Sequence, residues 1–372
     1  MKRVLFLIHD LGPGGAEKVL VNLVNGMDRQ KFDVSLRTLF DCGPNRQFLS
    51  PNVHYSSWMP MDIPGNSHWM KLWTPGQLWK MIIPEKYDIV VSFLEGPCAR
   101  VIGGCPDDGT KVVSWIHITL EREQDFTEGF RNREEAIRCY RRADRIICVS
   151  GDVKEAFLLH YPPGPNQAVS VLYNVYDSDG IRSQALAEPD DPPIDPAFPN
   201  RCGIGKLIPR KRWDMMMRVQ KKLVGEGFSV RFYVLGDGPL RRELEQLAEQ
   251  LGIRETVFFT GYQTNPYQYL SKCRLFVCAS EREGFSTAAI ESLFVGTPVC
   301  SVNTGGMKEI LGSQNEYGVV TEMDEDALYQ AVRRFFAEPD YLADYQRKAA
   351  EHGNDFERET ATAAAEKMLL LL

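Results

Sequence analysis

No CxxC pair, no GxGxxG fingerprint and no apolar run near the ~18 residues that span a bilayer occur in this sequence. Each absence removes a class. Nine cysteines, an odd number, are scattered through 372 residues, which excludes a disulfide framework or a zinc ribbon and reads as reduced, buried thiols of a cytosolic protein. There is no basic excess: the formal net charge is −7, so a dedicated nucleic-acid binder is not expected. The opening "MKRVLFLIHDLGPGG" is not a secretory leader. Its apolar run, Val4 to Ile8, is five residues long and is followed by His9-Asp10 and a Gly-rich turn. No repeat of fixed period and no low-complexity tract is present.

What is there is an alternation. "RVLFLI" (3–8), "FDVSLRTL" (32–39), "YDIVVSF" (87–93), "KVVSWI" (111–116) and "RIICVS" (145–150) read as buried strands. Between them lie helical patterns such as 15–27 and 133–143. Near-continuous apolar strands separated by helices predict parallel sheets covered on both faces. At 183–200, "SQALAEPDDPPIDPAFPN" carries five prolines and four acids, which predicts a linker rather than a helix or central strand. The alternation then restarts at 202–207, 229–236, 257–261, 275–280 and 297–302. The last helix ends in four leucines, and that apolar end has to dock.

Several strand-to-helix turns carry candidate chemistry. "HDLGPGGAEK" follows a strand and opens a helix, so Gly14 and Gly15 belong either to a tight turn or to a loop whose main chain approaches a ligand. "GCPDDGTK" (104–111) has the wrong order of Gly, Lys and hydroxyl for a phosphate loop. "GIGKLIPRKRWD" gathers Lys206, Arg210, Lys211 and Arg212 at the end of a strand, which suits an anion or a solvated basic loop. In "VLGDGPLRRELEQLAEQLG", Leu240, Leu244, Leu247 and Leu251 have core-helix spacing. "NTGGMKEIL" (303–311) sets two glycines between a strand and a helix. In "SEREGFSTAAIESLFVGTPV" (280–299), Ser286 fits an N-cap and Gly296 the C-terminal glycine. Glu283 then falls before the helix and Glu291 inside it.

Taken in order, "GPGGAEK", "ADRIICVS", "YNVYD", "GKLIPRK", "GDGPLRREL", "FTGY", the Glu283/Glu291 E-x7-E pair and "NTGGMKEI" resemble the retaining GT-B glycosyltransferases of family 4 (glycosyl transferases group 1). The resemblance covers essentially the whole chain. It implies an α/β fold of two Rossmann-like parallel-sheet domains facing an interdomain cleft. Residues 1–182 would form the acceptor-side domain, 183–200 the hinge and 201–350 the nucleotide-sugar domain. A C-terminal helix, 351–372, would pack back on the first domain.

The same resemblance implies transfer of a hexosyl or N-acetylhexosaminyl group, from a UDP-sugar by default, to a glycan or polyprenyl-linked acceptor. No cofactor or metal is implied, because Lys206 and Lys211 match the cation pair that neutralises the diphosphate. Lysine stands first here where the family usually has arginine, a point charge in place of a fork. Glu291 would bind the ribose. Glu283 would face the donor sugar, helped by main-chain N–H groups of Gly284 and Phe285, with Gly305 and Gly306 near sugar and phosphate. Gly14 and Gly15 would close over the diphosphate. His117 would contact the donor sugar, and Asn174 is a further donor-side candidate. Glu283, His117 and Lys211 are the implied catalytic set. "DSD" at 177–179 is read as a turn, not a metal-binding DxD.

Four of the six tryptophans, Trp58, Trp69, Trp73 and Trp79, fall within 22 residues and are mixed with Lys71 and Lys80. They form either an aromatic core or a surface for an anionic inner leaflet, through Trp69, Trp73, Trp79, Lys71 and Lys80. The expected location is cytoplasmic, peripheral on the inner face of the membrane. Other classes for the same fold are a non-catalytic nucleotide- or partner-binding module and a GT-B epimerase or phosphorylase.

Overall fold

The computed structural model describes all residues except 62–64, 107, 108, 166, 190 and 357, and describes 66, 67, 358 and 359 by backbone only. Asp107 and Asp108 of the discarded phosphate-loop match, and Asp190 of the Pro-rich segment, therefore lie outside the described residues. The chain divides into two units, Met1–Tyr176 with Arg358–Leu372, and Asp177–Glu357.

The first unit is built on β1 (Lys2–Ile8), β2 (Phe32–Phe40), β3 (His54–Met59), β4 (Ile89–Ser92), β5 (Lys111–Ile116), β6 (Arg145–Cys148) and β7 (Ala168–Val171). These strands form one parallel sheet in the order β3-β2-β1-β4-β5-β6-β7. Its centre is dry because β1 offers only apolar side chains from Val4 to Ile8, all fully buried. The helix Gly15–Gly26 covers one face with Val19, Leu20, Leu23 and Val24, the stripe that helical periodicity requires. The C-terminal helix Arg358–Leu370 belongs to this unit. Glu366 accepts from the Asp28 N–H at 2.6 Å and pairs with Lys31 at 3.2 Å. Of its terminal leucines, Leu369 is buried, whereas Leu370 and Leu371 stay exposed.

The second unit holds β8 (Asn200–Ile204), β9 (Arg231–Leu235), β10 (Val257–Gly261), β11 (Leu275–Cys278), β12 (Val299–Val302) and β13 (Val319–Thr321). All are parallel, in the order β10-β9-β8-β11-β12-β13. In both sheets the winding reverses between the first and fourth strands. Loops leaving the carboxyl ends there diverge and leave a crevice, the place where open α/β sheets bind ligands.

The structure departs from the expectations in three places. The Pro-rich segment, expected as a linker or hinge, is also tied by side chains to the rest of the second unit. Prolines remove N–H donors, but carbonyls along the segment remain acceptors, and side chains of the second unit reach them. Tyr269 Oη donates to Asp191 O at 2.7 Å, Ser271 Oγ to Ala185 O at 2.9 Å and Asn265 Nδ2 to Gln184 O at 2.9 Å. The "DSD" residues, secondly, open the helix Ser178–Gln184 instead of forming a simple turn.

The third departure is at the tryptophans. Trp79, left open by its sequence between core and membrane surface, is core: the residue is 7% exposed. Trp69 sits between Trp58 and Trp73, with ring centroids 5.8 and 5.5 Å away, and is half-buried against the same core. The adjoining turn is held by arginine. Arg100 donates to Met70 O at 2.9 Å and Trp73 O at 2.7 Å. Arg131 donates to Lys71 O at 2.6 Å and Leu72 O at 3.0 Å. Glu135 fixes both arginines, accepting from Arg100 Nε at 2.9 Å and from the Arg131 main chain at 2.7 Å. Four consecutive carbonyls are thus claimed, and the turn they rigidify presents Leu72 at 75% exposure.

All nine cysteines are free thiols, and eight are buried.

Candidate active site

In the second unit, the expected donor residues occupy the carboxyl ends of β8, β11 and β12. After β8 the chain passes Lys206, which is exposed and whose carbonyl accepts from Trp213 Nε1 at 3.0 Å. The short 3-10 turn Pro209–Lys211 then aims Lys211 back toward the sheet. Its Nζ lies 2.5 Å from Glu283 Oε1, with both side chains four-fifths buried or more. Burial works to lower the Lys211 ammonium, but the Glu283 carboxylate outweighs it and the pKa stands above its ordinary value. Burial likewise works to raise Glu283, and Lys211 with the Ser280 hydroxyl outweighs that and holds it below the usual range. Both groups are therefore charged near neutral pH.

The helix Thr287–Phe294 starts where the sequence places it. Ser286 caps it by accepting from the Ala289 N–H, and Gly296 (φ 72°) follows its end. Glu291, one turn in, is 5% exposed and accepts from Tyr267 Oη at 3.0 Å. Burial first, and then the Glu291 carboxylate, push the Tyr267 phenol well above its ordinary range, so it stays a donor. Glu281, given no role from the sequence, accepts from Arg212 Nη1 at 3.2 Å on the rim.

After β12, Gly306 adopts φ 72° against the Glu283–Phe285 loop. A Cβ there would stand 2.7 Å from Gly284 O and 2.9 Å from the Phe285 ring, so only glycine lets the two loops meet. Lys206, Lys211, Glu283, Gly284, Phe285, Glu291, Gly305 and Gly306 thus share one end of one sheet.

In the first unit, the turn after β1 is fixed by side chains. Asp10 accepts from the Gly12 N–H at 2.6 Å and from His9 Nδ1 at 2.6 Å, while buried Asn45 donates to Gly12 O at 2.5 Å. Gly14 precedes the helix as its cap, and Gly15 begins it. The Glu17 carboxylate folds over that N-terminus: a Cβ on Gly14 would come 2.1 Å from Glu17 Oε2. A carboxylate suits the positive end of the helix dipole.

His117 is the first residue past β5. Its N–H donates to Glu95 Oε2 at 3.0 Å, and its ring lies 4.5 Å from Phe93. Its Nε2 is buried and has no hydrogen-bond partner among the described residues. Burial pushes its pKa down to about 3, so the ring is neutral in the physiological range and offers one donor and one acceptor. Asn174, beyond β7, is buried in the same unit.

Residues 13–179 match the family model described as Glycosyltransferase Family 4, and residues 199–352 match that described as Glycosyl transferases group 1. The chain belongs to glycosyltransferase family 4. Its two parallel sheets give it the GT-B fold of that family. A Campylobacter jejuni relative, N-acetylgalactosamine-N,N'-diacetylbacillosaminyl-diphospho-undecaprenol 4-alpha-N-acetylgalactosaminyltransferase, is 29% identical over 62% of this chain and 61% of its own length. The Rhizobium meliloti lipopolysaccharide core biosynthesis glycosyltransferase LpsD is 31% identical over 37% of this chain and 39% of its own. Neither match reaches two thirds of the relative's length. Among solved structures, Anabaena Alr3699/HepE in complex with UDP and glucose superposes with a TM-score of 0.80, at 18% identity, over 100% of both chains.

Some residues that support this candidate site carry no signal in the motifs singled out from the sequence. Tyr267, Ser280, Glu95 and Asn45 each support a site residue through space. Ser280 is three positions from Glu283, but the others carry no local signal: Tyr267 lies 24 residues before Glu291 in a separate short helix. Asn45 sits 33 residues beyond Gly12.

Proposed function

We propose that this family 4 protein transfers a hexosyl or N-acetylhexosaminyl group from a UDP-sugar to a hydroxyl of a glycan or lipid-linked glycan, with retention at the anomeric carbon. The observation that carries the reading is the buried Lys211–Glu283 pair beside buried, tyrosine-held Glu291 at the carboxyl ends of β8 and β11. One charged acceptor faces the sugar, one the ribose, and a cation stands ready for the diphosphate.

In this mechanism the bond from C1 to the phosphate oxygen breaks as the acceptor oxygen bonds C1 on the same face. The acceptor proton passes to the departing phosphate oxygen. Negative charge growing on the diphosphate is met by Lys211 and Lys206, already in place, so little reorganisation is needed at the moment of transfer. Glu283 positions the sugar and is not a nucleophile. Gly284, Phe285, Gly305 and Gly306 supply main-chain contacts to the donor. For the first unit, the family resemblance assigns donor binding to His117, Gly14, Gly15 and Asn174. A divalent metal has no part in it, because lysines take the charge role.

The relatives' names, a diphospho-undecaprenol substrate and lipopolysaccharide core synthesis, support the acceptor class, and the UDP-bound neighbour supports the nucleotide. A panel of nucleotide sugars tested for thermal stabilisation, with EDTA present, checks the donor. A UDP-sugar should raise the melting temperature most, by mass action. If no nucleotide sugar stabilises the protein, or if transfer requires added Mn²⁺, the reading fails.

A lipid-linked acceptor places the enzyme on the inner membrane face. No described helix is long and apolar enough to cross a membrane, so contact would be peripheral. The arginine-held turn that projects Leu72, next to Lys71 and with Lys80 exposed nearby, is the proposed contact, with Trp69 and Trp73 behind it. Leu72→Glu should lower co-sedimentation with phosphatidylglycerol-rich vesicles several-fold without changing the melting temperature. Equal binding by wild type and variant, or none by either at low salt, would remove the turn from that role.

A further inference from the structure

We infer that the Thr304 hydroxyl is a ligand contact, donating to an oxygen of the sugar-diphosphate part of the donor. This rests on the donor-site reading above and adds a residue to it. Thr304 follows β12 and is 7% exposed. Its Oγ1 has less than 1 Å² of accessible surface and no hydrogen-bond partner among the described residues. Buried hydroxyls are almost always paired, and leaving one unpaired costs about 1–3 kcal/mol. Other threonines of this unit follow the rule: Thr297 Oγ1 donates to Leu270 O at 2.7 Å and Thr256 Oγ1 to Ile253 O at 2.9 Å. Thr304 is the exception, and its position is telling.

Its carbonyl accepts from the Met307 N–H at 3.0 Å, closing a four-residue turn with left-handed Gly306 third. That turn packs on Gly284 and Phe285, the two residues after Glu283. The unpaired donor is therefore in the loop that abuts the Glu283–Phe285 segment. A threonine hydroxyl has one proton to give, and either a phosphoryl oxygen or a sugar hydroxyl oxygen can take it.

The test is Thr304→Val, which keeps shape and removes the hydroxyl, with Thr304→Ser as the variant that keeps it. Affinities for inorganic pyrophosphate, UDP and the stabilising UDP-sugar are measured by calorimetry, with ligand-free melting temperatures alongside. The expected result for Thr304→Val is a ligand-free melting temperature equal to or above wild type and a Kd about tenfold or more higher. Weakening of all three ligands assigns the contact to phosphate, and weakening of the UDP-sugar alone assigns it to the sugar. Thr304→Ser should stay within about threefold of wild type. Unchanged affinities in Thr304→Val, or a lowered ligand-free melting temperature, overturn the inference. A wild type that binds none of the three ligands overturns the donor-site reading and this inference with it, an outcome distinct from the former.

Discussion

Replacing Lys211 with alanine is expected to lower kcat/KM for sugar transfer by about a thousandfold, the upper range for loss of one pre-aimed electrostatic group. The variant removes the one ammonium within reach of Glu283 in the described structure, 2.5 Å away. Stability falls too, because the Glu283 carboxylate keeps its burial and loses its partner. Exposed pairs are worth ~0–1 kcal/mol and breaking fully buried ones costs ~3–5 kcal/mol. This pair, with side chains 20% and 16% exposed, should cost about 2 kcal/mol by interpolation between those limits. Lys211→Ala with Glu283→Gln separates the two effects. Melting temperature should recover in the double variant, and transfer should not.

The pH dependence follows from the directions of the two shifts. Glu283 is held below its ordinary 4.5, so its contribution is present above about that pH and lost as pH falls through the lowered value. Lys211 is held above its ordinary 10.5, so its contribution is complete below that pH and lost as pH rises through the raised value. Wild-type minus double-variant stability should therefore be flat between roughly pH 5 and 10 and shrink outside it. Turnover of Lys211→Ala equal to wild type would take this residue out of the chemistry.

Glu291→Ala is expected to weaken UDP binding about a hundredfold, since hydrogen bonds to a buried charge are each worth ~1.5–3 kcal/mol and two ribose hydroxyls are at stake. The carboxylate is 5% exposed and aimed by Tyr267 at 3.0 Å. Tyr267→Phe should therefore weaken binding in the same direction by a smaller factor. Binding shared by ground and transition states should appear in KM more than in kcat. Inorganic pyrophosphate, which lacks ribose, should bind both variants as it binds wild type. Loss of pyrophosphate binding in Glu291→Ala would mean that Glu291 shapes the whole loop and is not a ribose ligand.

The strands missed by the sequence reading have one thing in common. β3 and β13, like β7, are edges of their sheets, each with a single neighbour. Central strands are covered on both faces and read as apolar runs, as "RVLFLI" does. An edge strand has less to bury, and "HYSSWM", "AVSV" and "VVT" carry little of that signal. The Pro-rich segment shows a related limit of sequence. Proline content predicts that a stretch will not pair in a sheet, but not that side chains elsewhere will hold its carbonyls.

For the site, local chemistry was legible wherever one turn carried it. Ser286 capping Ala289, Gly296 after the helix and Glu283 outside it all follow from the order of residue types over a few positions. The pairings were not. Lys211 and Glu283 are 72 positions apart and meet because β8 and β11 are neighbours at the reversal of the sheet. The tryptophans, equally compatible with core and membrane by composition, were divided by packing: Trp79 inside, Trp69 and Trp73 half-covered, and Leu72 outside on a turn that two arginines hold. Sequence by itself determined the strand–turn–helix units and the residue types at their turns, because those depend on burial and backbone preference over a few residues. Only the tertiary structure decided which turns face one another, which charges neutralise each other and which buried hydroxyls, Thr304 among them, find no partner among the described residues, because those depend on strand order, and strand order joins residues that the chain keeps far apart.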